Sequence, residues 1–203
     1  SQGYLRVRPR NTSYQVGSWS NTARFSGQRD IPRGRPIANV LTNGDFPSGV
    51  TSWTTGGTGT FAHDSTHGFI ALGSGKFELF RPSGGAGADQ KYIYQDKTGL
   101  TAGDVFHALC YVCRSTNFDE TFDEVHLEVR SGSNVFYSQT VELSSLKEVD
   151  TGEWTLLEID GIVPSGSTSV RVYLFVDYSS PTPVEEANVW VDDIQLYLLG
   201  RKT

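Results

Sequence analysis

The chain has 203 residues, 37% of them hydrophobic and 12% aromatic, with 22 glycines. That is room for one large all-β domain or two small ones, and too much glycine for a helical bundle. No apolar run approaches the length of a membrane span, and the opening SQGYLRVRPR lacks the apolar core of a secretory signal. The net charge of −6 is unevenly divided: residues 1–38 hold seven arginines, no lysine and one acid, Asp30, for +6, while the remainder holds 10 basic and 22 acidic side chains, for −12. A cationic segment on an acidic body is a device for touching something else, more than a sign of catalysis.

Residues 1–38 show no lasting apolar periodicity, and Pro9, Pro32 and Pro36 with Gly3, Gly17, Gly27 and Gly34 break any regular element. They are expected to form an extended N-terminal arm. Disordered tails are poor in large apolar side chains, yet this segment carries Tyr4, Leu5, Tyr14, Trp19, Phe25 and Ile31 between Arg6, Arg8, Arg10, Arg24, Arg29, Arg33 and Arg35. The pattern predicts an assembly arm in which arginines pair with acids and the rings are buried anchors. The chain contains no Met and starts with a small Ser, which fits removal of an initiator Met. The expectation is a nearly complete protein, made in a cytoplasm and not exported by a signal peptide.

From residue 39 to 203 the chain reads as one domain of short strands: Gly75–Phe80, Lys91–Gln95, Val105–Arg114, Glu124–Arg130, Val135–Leu143, Trp154–Ile162, Ser169–Val176 and Ala187–Leu198. Turn clusters fall at Thr55–Gly59, Pro82–Gly87, Thr101–Asp104, Ser131–Asn134, Pro164–Ser167 and Ser179–Pro183. Eight strands without a helix-period segment predict an all-β, antiparallel β-sandwich of the jelly-roll type.

Both ends of this domain resemble a known group. Asn39-Val40-Leu41-Thr42-Asn43-Gly44-Asp45-Phe46, followed by Gly49 and Trp53, is similar to the first strand of carbohydrate-binding modules of families four, nine and twenty-two. Val189-Trp190-Val191-Asp192-Asp193-Ile194-Gln195-Leu196 resembles their last strand. Leu100-Thr101-Ala102-Gly103, Glu153-Trp154 and Val163-Pro164-Ser165-Gly166 match steps between, so the resemblance spans residues 39–198 in order. It implies the galactose-binding-like jelly roll and, less directly because that fold is widely reused, sugar binding. It also implies a structural Ca²⁺, but Pro47 stands where the family pattern carries Glu. Asp45, Asp192 and Asp193 remain as hard-oxygen donors for such an ion.

The usual catalytic arrangements are missing. Cys110 and Cys113 lie in a strand, where a separation of three sends them to opposite faces, so two reduced, partly buried thiols are expected. His63 and His67 lack the Glu and helical spacing of a metalloprotease and read as histidines of a surface loop or strand edge. No G-x-S-x-G elbow occurs, and Gly73-Ser74-Gly75-Lys76 does not fit a phosphate loop. The run Asp119-Glu120-Thr121-Phe122-Asp123-Glu124 reads as a solvated tip and not as a glycosidase pair. The expectation is a protein that is not an enzyme and needs no cofactor beyond that ion.

Strand alternation collects a more informative set. If three strands share a sheet, one outward face carries His107, Tyr111, His126, Glu128, Arg130, Arg171, Tyr173 and Phe175. Rings among hydrogen-bonding side chains suit an open glycan site, but the favoured expectation is a face covered by the arm of the same or a neighbouring copy, or by another protein. The leading expectation is a non-catalytic virion structural protein, a phage tail, fibre-anchor or capsid-decoration component assembled in the host cytoplasm. Its arm would bind copies of itself or other virion proteins, and its sandwich would contact host cell-surface glycans. The alternative is a carbohydrate-binding module of a glycan-degrading system. Nucleic-acid binding by the arm ranks last, because the −12 body repels phosphate.

Overall fold

The structure, a computed structural model, describes residues 38–79, 89–116, 124–178 and 187–201. The arm residues named above, up to residue 37, residues 119–123 of the acidic run, and the expected turns at Pro82–Gly87 and Ser179–Pro183 lie outside the described residues.

Ten strands follow one another: β1 (Thr54–Gly57), β2 (Thr60–Asp64), β3 (Ser74–Leu79), β4 (Asp89–Thr98), β5 (Asp104–Arg114), β6 (Glu124–Ser131), β7 (Asn134–Glu142), β8 (Thr155–Ile162), β9 (Ser169–Tyr178) and β10 (Ala187–Arg201). Two short 3-10 turns, Leu143–Ser145 and Val149–Thr151, sit between β7 and β8. All pairings between strands are antiparallel, and they form two five-stranded sheets, ordered β1-β4-β9-β6-β7 and β2-β3-β10-β5-β8. No helix among the described residues is long and apolar enough to cross a membrane.

Alternation explains why the sheets face each other. Phe106, Ala108, Cys110 and Val112 of β5, Val125, Leu127 and Val129 of β6, and Val170, Val172, Leu174 and Val176 of β9 are buried in one core. Each such aliphatic side chain removed from water contributes roughly 1.5–3 kcal/mol, so a one-residue slip in any strand would expose its whole inward set. All eight expected strands are present. β1 and β2 are additional: the residues expected to be a turn at Thr55–Gly59 include most of β1, and His63 lies half-buried within β2, an edge strand of its sheet, the second of the two expected placements. Gly56 explains the confusion. It is a strand residue where a Cβ would come 2.3 Å from the Tyr92 hydroxyl oxygen, so glycine is needed for the close approach of that ring.

The segment expected to be a first strand forms one isolated bridge, Asn39 to Tyr197, and then bends. Its polar residues brace the sandwich. The Asn39 side chain donates to Ile194 O (3.1 Å) and accepts from Leu196 N (2.9 Å), while Asn43 Nδ2 donates to Gly49 O and Thr51 O. Phe46 is fully buried against Trp53 and Phe61 at ring distances of 6.0 and 5.9 Å. In β10 the pairing shifts between Asp192 and Gln195, and Asp193 takes a left-handed conformation (φ 50°). That bulge lets two consecutive acids interrupt the strand while Val191, Ile194 and Leu196 all stay in the core.

Candidate functional site: the two outward faces

The eight residues expected on one face divide between the sheets. β6 and β9 are neighbours, so His126, Glu128, Arg130, Arg171, Tyr173 and Phe175 share an outward face. β5 pairs with β8 and β10 instead, which places His107 and Tyr111 on the other sheet. Alternation determines which face a side chain takes, whereas sheet membership depends on long-range pairing.

On the first face, β4 supplies what the sequence reading left unused. Register sets Tyr94 beside Tyr173 and Glu128, Tyr92 beside Phe175 and His126, and Asp96 beside Arg171 and Arg130. The spacing Tyr92-x-Tyr94-x-Asp96 was the available signal. The three tyrosine rings are nearly parallel, with centroids 5.1 Å apart for Tyr92 and Tyr173, 6.1 Å for Tyr94 and Tyr173, and 6.4 Å for Tyr92 and Tyr94. Arg130 lies 3.9 Å over Tyr173 and Arg171 lies 3.6 Å over Tyr94, a cation–π geometry. Each guanidinium also has a carboxylate partner: Arg171 meets both oxygens of Asp96 at 2.8 Å, and Arg130 pairs with Glu128. These acids make it possible for Arg130 and Arg171 to sit directly opposite each other, where two bare cations would repel.

Tyr173 and Phe175 are buried within this array, whereas Tyr92 and Tyr94 are only half-buried. Burial pushes the Tyr173 phenol up to about 12. The hydrogen bonds that Arg171 donates to Asp96 raise its pKa further above its ordinary value. His126 stacks flat on Phe175 (4.2 Å, 3°), its Nδ1 is 2.8 Å from Thr140 Oγ1, and burial lowers its pKa. At the same end, Asp177 Oδ1 is buried without a hydrogen-bond partner. The face thus offers tyrosine rings and hydroxyls and spare guanidinium N–H groups.

The second face carries a loop, residues 65–73, folded against β10 and β5. Asp64 anchors it by accepting from Thr66 N (2.7 Å), His67 N (3.2 Å) and Trp190 Nε1 (2.7 Å), and its carboxyl is held far below the usual range by these bonds, although burial alone would raise it. Phe69 stacks on Tyr111 at 3.6 Å, and His67 packs edge-on against Trp190 at 5.3 Å.

Asp192 accepts from Phe69 N at 2.7 Å through one oxygen and from Asp193 N at 2.8 Å through the other, and burial pushes its pKa up to about 7. Both Asp192 oxygens accept from N–H donors and an Asp193 oxygen accepts from the Gln195 amide, so these two acids staple the loop and the bulge. Among the described residues, no group of three or more His, Cys, Asp or Glu side chains could hold a metal ion. Cys110 lies in the core and Cys113, level with Trp190, is buried on the other side; both are free thiols pushed up by burial.

No protein-family model matches the sequence, and no curated protein matches it. Solved structures do. The carbohydrate-binding module TmCBM61, solved in complex with β-1,4-galactotriose, aligns with a TM-score of 0.55 and 17% identity over 79% of this chain and 99% of its own. A family 16 carbohydrate-binding module aligns at 0.51 and 16%, covering 78% and 99%. The enzymatically active domain of tailspike protein 4 of bacteriophage CBA120 aligns at 0.52 and 14%, over 79% of this chain and 21% of the tailspike chain. Modules of families 4 and 22 match as well. The chain therefore has the two-sheet β-sandwich fold of carbohydrate-binding modules.

Proposed function

We propose that the protein is a non-catalytic carbohydrate-binding β-sandwich whose β1-β4-β9-β6-β7 face takes a glycan. The observation that carries this reading is the tyrosine array of Tyr92, Tyr94 and Tyr173, backed by Phe175 and bordered by guanidinium, imidazole and carboxylate groups on register-fixed strands. Rings supply apolar contact to sugar C–H faces and the border supplies hydrogen bonds, the composition expected of a small-ligand site. Tyr173 is already sandwiched between Tyr92 and Arg130. Direct contact thus falls to Tyr92 and Tyr94, with Arg130 and Arg171 donating from the rim. The fold shared with TmCBM61, solved with β-1,4-galactotriose, supports the same class of ligand.

Calorimetric titration with soluble galactan, xylan and mixed-linkage β-glucan tests it. One of these should bind without release of reducing ends, and the Tyr92→Ala, Tyr94→Ala double variant should weaken binding at least tenfold, about 1.4 kcal/mol. Retained affinity in that variant would remove this face from consideration.

A second reading has its own support in the arginine-rich segment and in the tailspike likeness. In it the sandwich is a structural part of a virion, assembled in the host cytoplasm, that displays the glycan face outward and joins its neighbours through residues 1–38.

A further inference from the structure

The exposed aliphatic side chains are distributed unequally. Ile70 (64% exposed), Leu72 (63%), Leu156 (38%) and Ile162 (38%) belong to the β2-β3-β10-β5-β8 side, two on the 65–73 loop and two at outward positions of β8. Val135 on β7 is the other large hydrophobic exposed among the described residues. Single exposed aliphatics are ordinary, but a group on one face marks an interaction surface.

The loop is built to hold its pair outward. Besides the Asp64 and Asp192 anchors, Gly73 N donates to His67 O at 3.3 Å, and a Cβ on Gly68 would meet Ala71 O at 1.8 Å, so the chain can fold this tightly only with glycine there. Ile70 and Leu72 therefore project from a fixed platform.

The same face is acidic. Glu158 and Asp160 lie between Leu156 and Ile162 on the outward side of β8, and Asp193 lies on the β10 bulge. Among the described residues no lysine or arginine pairs with any of the three. His107 sits between the first two, 3.1 Å from Asp160 and 4.0 Å from Glu158. Half-buried Tyr111 and Tyr197 fill the surface between them and the loop. On the opposite face, by contrast, Arg130 and Arg171 already neutralise Glu128 and Asp96.

We infer that this face is a docking surface for residues 1–37 of a second copy of the chain. Three facts select that occupant. Residues 1–37 carry seven arginines against one acid, opposite in sign to carboxylates that have no lysine or arginine partner among the described residues. They also carry Tyr4, Leu5, Tyr14, Trp19, Phe25 and Ile31, side chains that need apolar partners such as Ile70, Leu72 and Leu156. Finally, residues 1–37 lead through Ala38 into Asn39, which is bridged to Tyr197 on this sheet. A segment of that length spans at most about 120 Å, enough to reach a neighbouring sandwich. A segment docking on a different patch of the next copy makes a head-to-tail contact, which closes into a ring or runs on as a filament. The inference deepens the assembly reading above and is independent of the glycan face.

The test is light scattering on a sizing column with the full chain at about 50 mM and about 500 mM salt, together with binding of a fluorescent synthetic peptide of residues 1–37. Wild type should be oligomeric at low salt and dissociate at high salt. Glu158→Lys with Asp160→Lys, and separately Ile70→Ser with Leu72→Ser, should each give monomers of unchanged circular dichroism and weaken peptide binding at least tenfold, while Tyr92→Ala changes neither readout. Monomers at every salt concentration would overturn the inference, the segment then serving its own domain or another partner. A stable oligomer indifferent to both variant pairs would also overturn it while leaving assembly itself intact. Dissociation by Tyr92→Ala would place the contact on the wrong face.

Discussion

The two outward faces of the sandwich grow from the same strand alternation and are completed in different ways. On the β1-β4-β9-β6-β7 face, side chains satisfy one another within the sheet: tyrosine on tyrosine, guanidinium on ring, carboxylate on guanidinium. On the β2-β3-β10-β5-β8 face a loop is clamped down by the half-buried Asp64 and the buried Asp192, and aliphatics and acids without a lysine or arginine partner are left pointing away. A preorganised polar–aromatic array suits a ligand whose own hydroxyls complete the network, because little ordering remains to be paid for on binding. An apolar and acidic surface suits a protein segment. The sandwich thus keeps its small-ligand chemistry and its contact surface on opposite sides.

The comparison can be broken at the clamp. Asp64→Ala removes the acceptor shared by Trp190, Thr66 and His67. It should cost about 1–3 kcal/mol of unfolding free energy in urea, since the buried Trp190 indole N–H loses its partner, and glycan affinity should be unchanged. A loss under about 0.5 kcal/mol would mean that the loop is held by other contacts.

The second clamp makes stability depend on pH. The Asp192 carboxyl titrates near 7 in the folded protein against about 4 unfolded. Its contribution is complete below pH 4 and is lost as pH rises to 7. His126 acts in the opposite sense, because burial lowers its pKa and folding then disfavours its protonated form below about 6.5. The difference between wild type and Asp192→Asn isolates the carboxyl. That difference should change by on the order of 3 kcal/mol between pH 4 and pH 7.5, the wild type losing ground as pH rises. A pH-independent difference would show that Asp192 does not titrate in this range.

A smaller effect concerns the thiols. Cys110 and Cys113 are buried and their pKa values raised, so a thiol reagent at pH 8 should modify neither until denaturant is added. Rapid labelling of the folded protein would mean that the face covering Cys113 opens. Smallest of all should be the response to calcium: with the oxygens of Asp192 already bonded, saturating Ca²⁺ or a chelator should move the melting temperature by less than about 1 °C.

Much of this was legible in the sequence. Inward sets such as Val170, Val172, Leu174 and Val176 announce their strand by period two, and the eight expected strands are all present. β1 escaped because its glycines, Gly56 against Tyr92 and Gly57 against the Gln90 carbonyl, look like a turn, and β2 because a short strand with three polar residues carries little pattern. Sheet membership was not legible, which is why His107 and Tyr111 were grouped with a face they do not share. Tyr92 and Tyr94 could have been found by carrying the alternation of β4 as far as that of β9. The bonds of Asp192 could not, since Phe69 lies 123 residues away in sequence.

The most direct measurement is amide-shift mapping by NMR of the full chain during titration with a galacto-, xylo- or gluco-oligosaccharide. The account predicts saturable shifts at Tyr92, Tyr94, His126, Arg171 and Phe175, and none at Ile70, Tyr111, Leu156 or Glu158. Shifts confined to the second set, or no saturable shift with any of the three sugars, would contradict it.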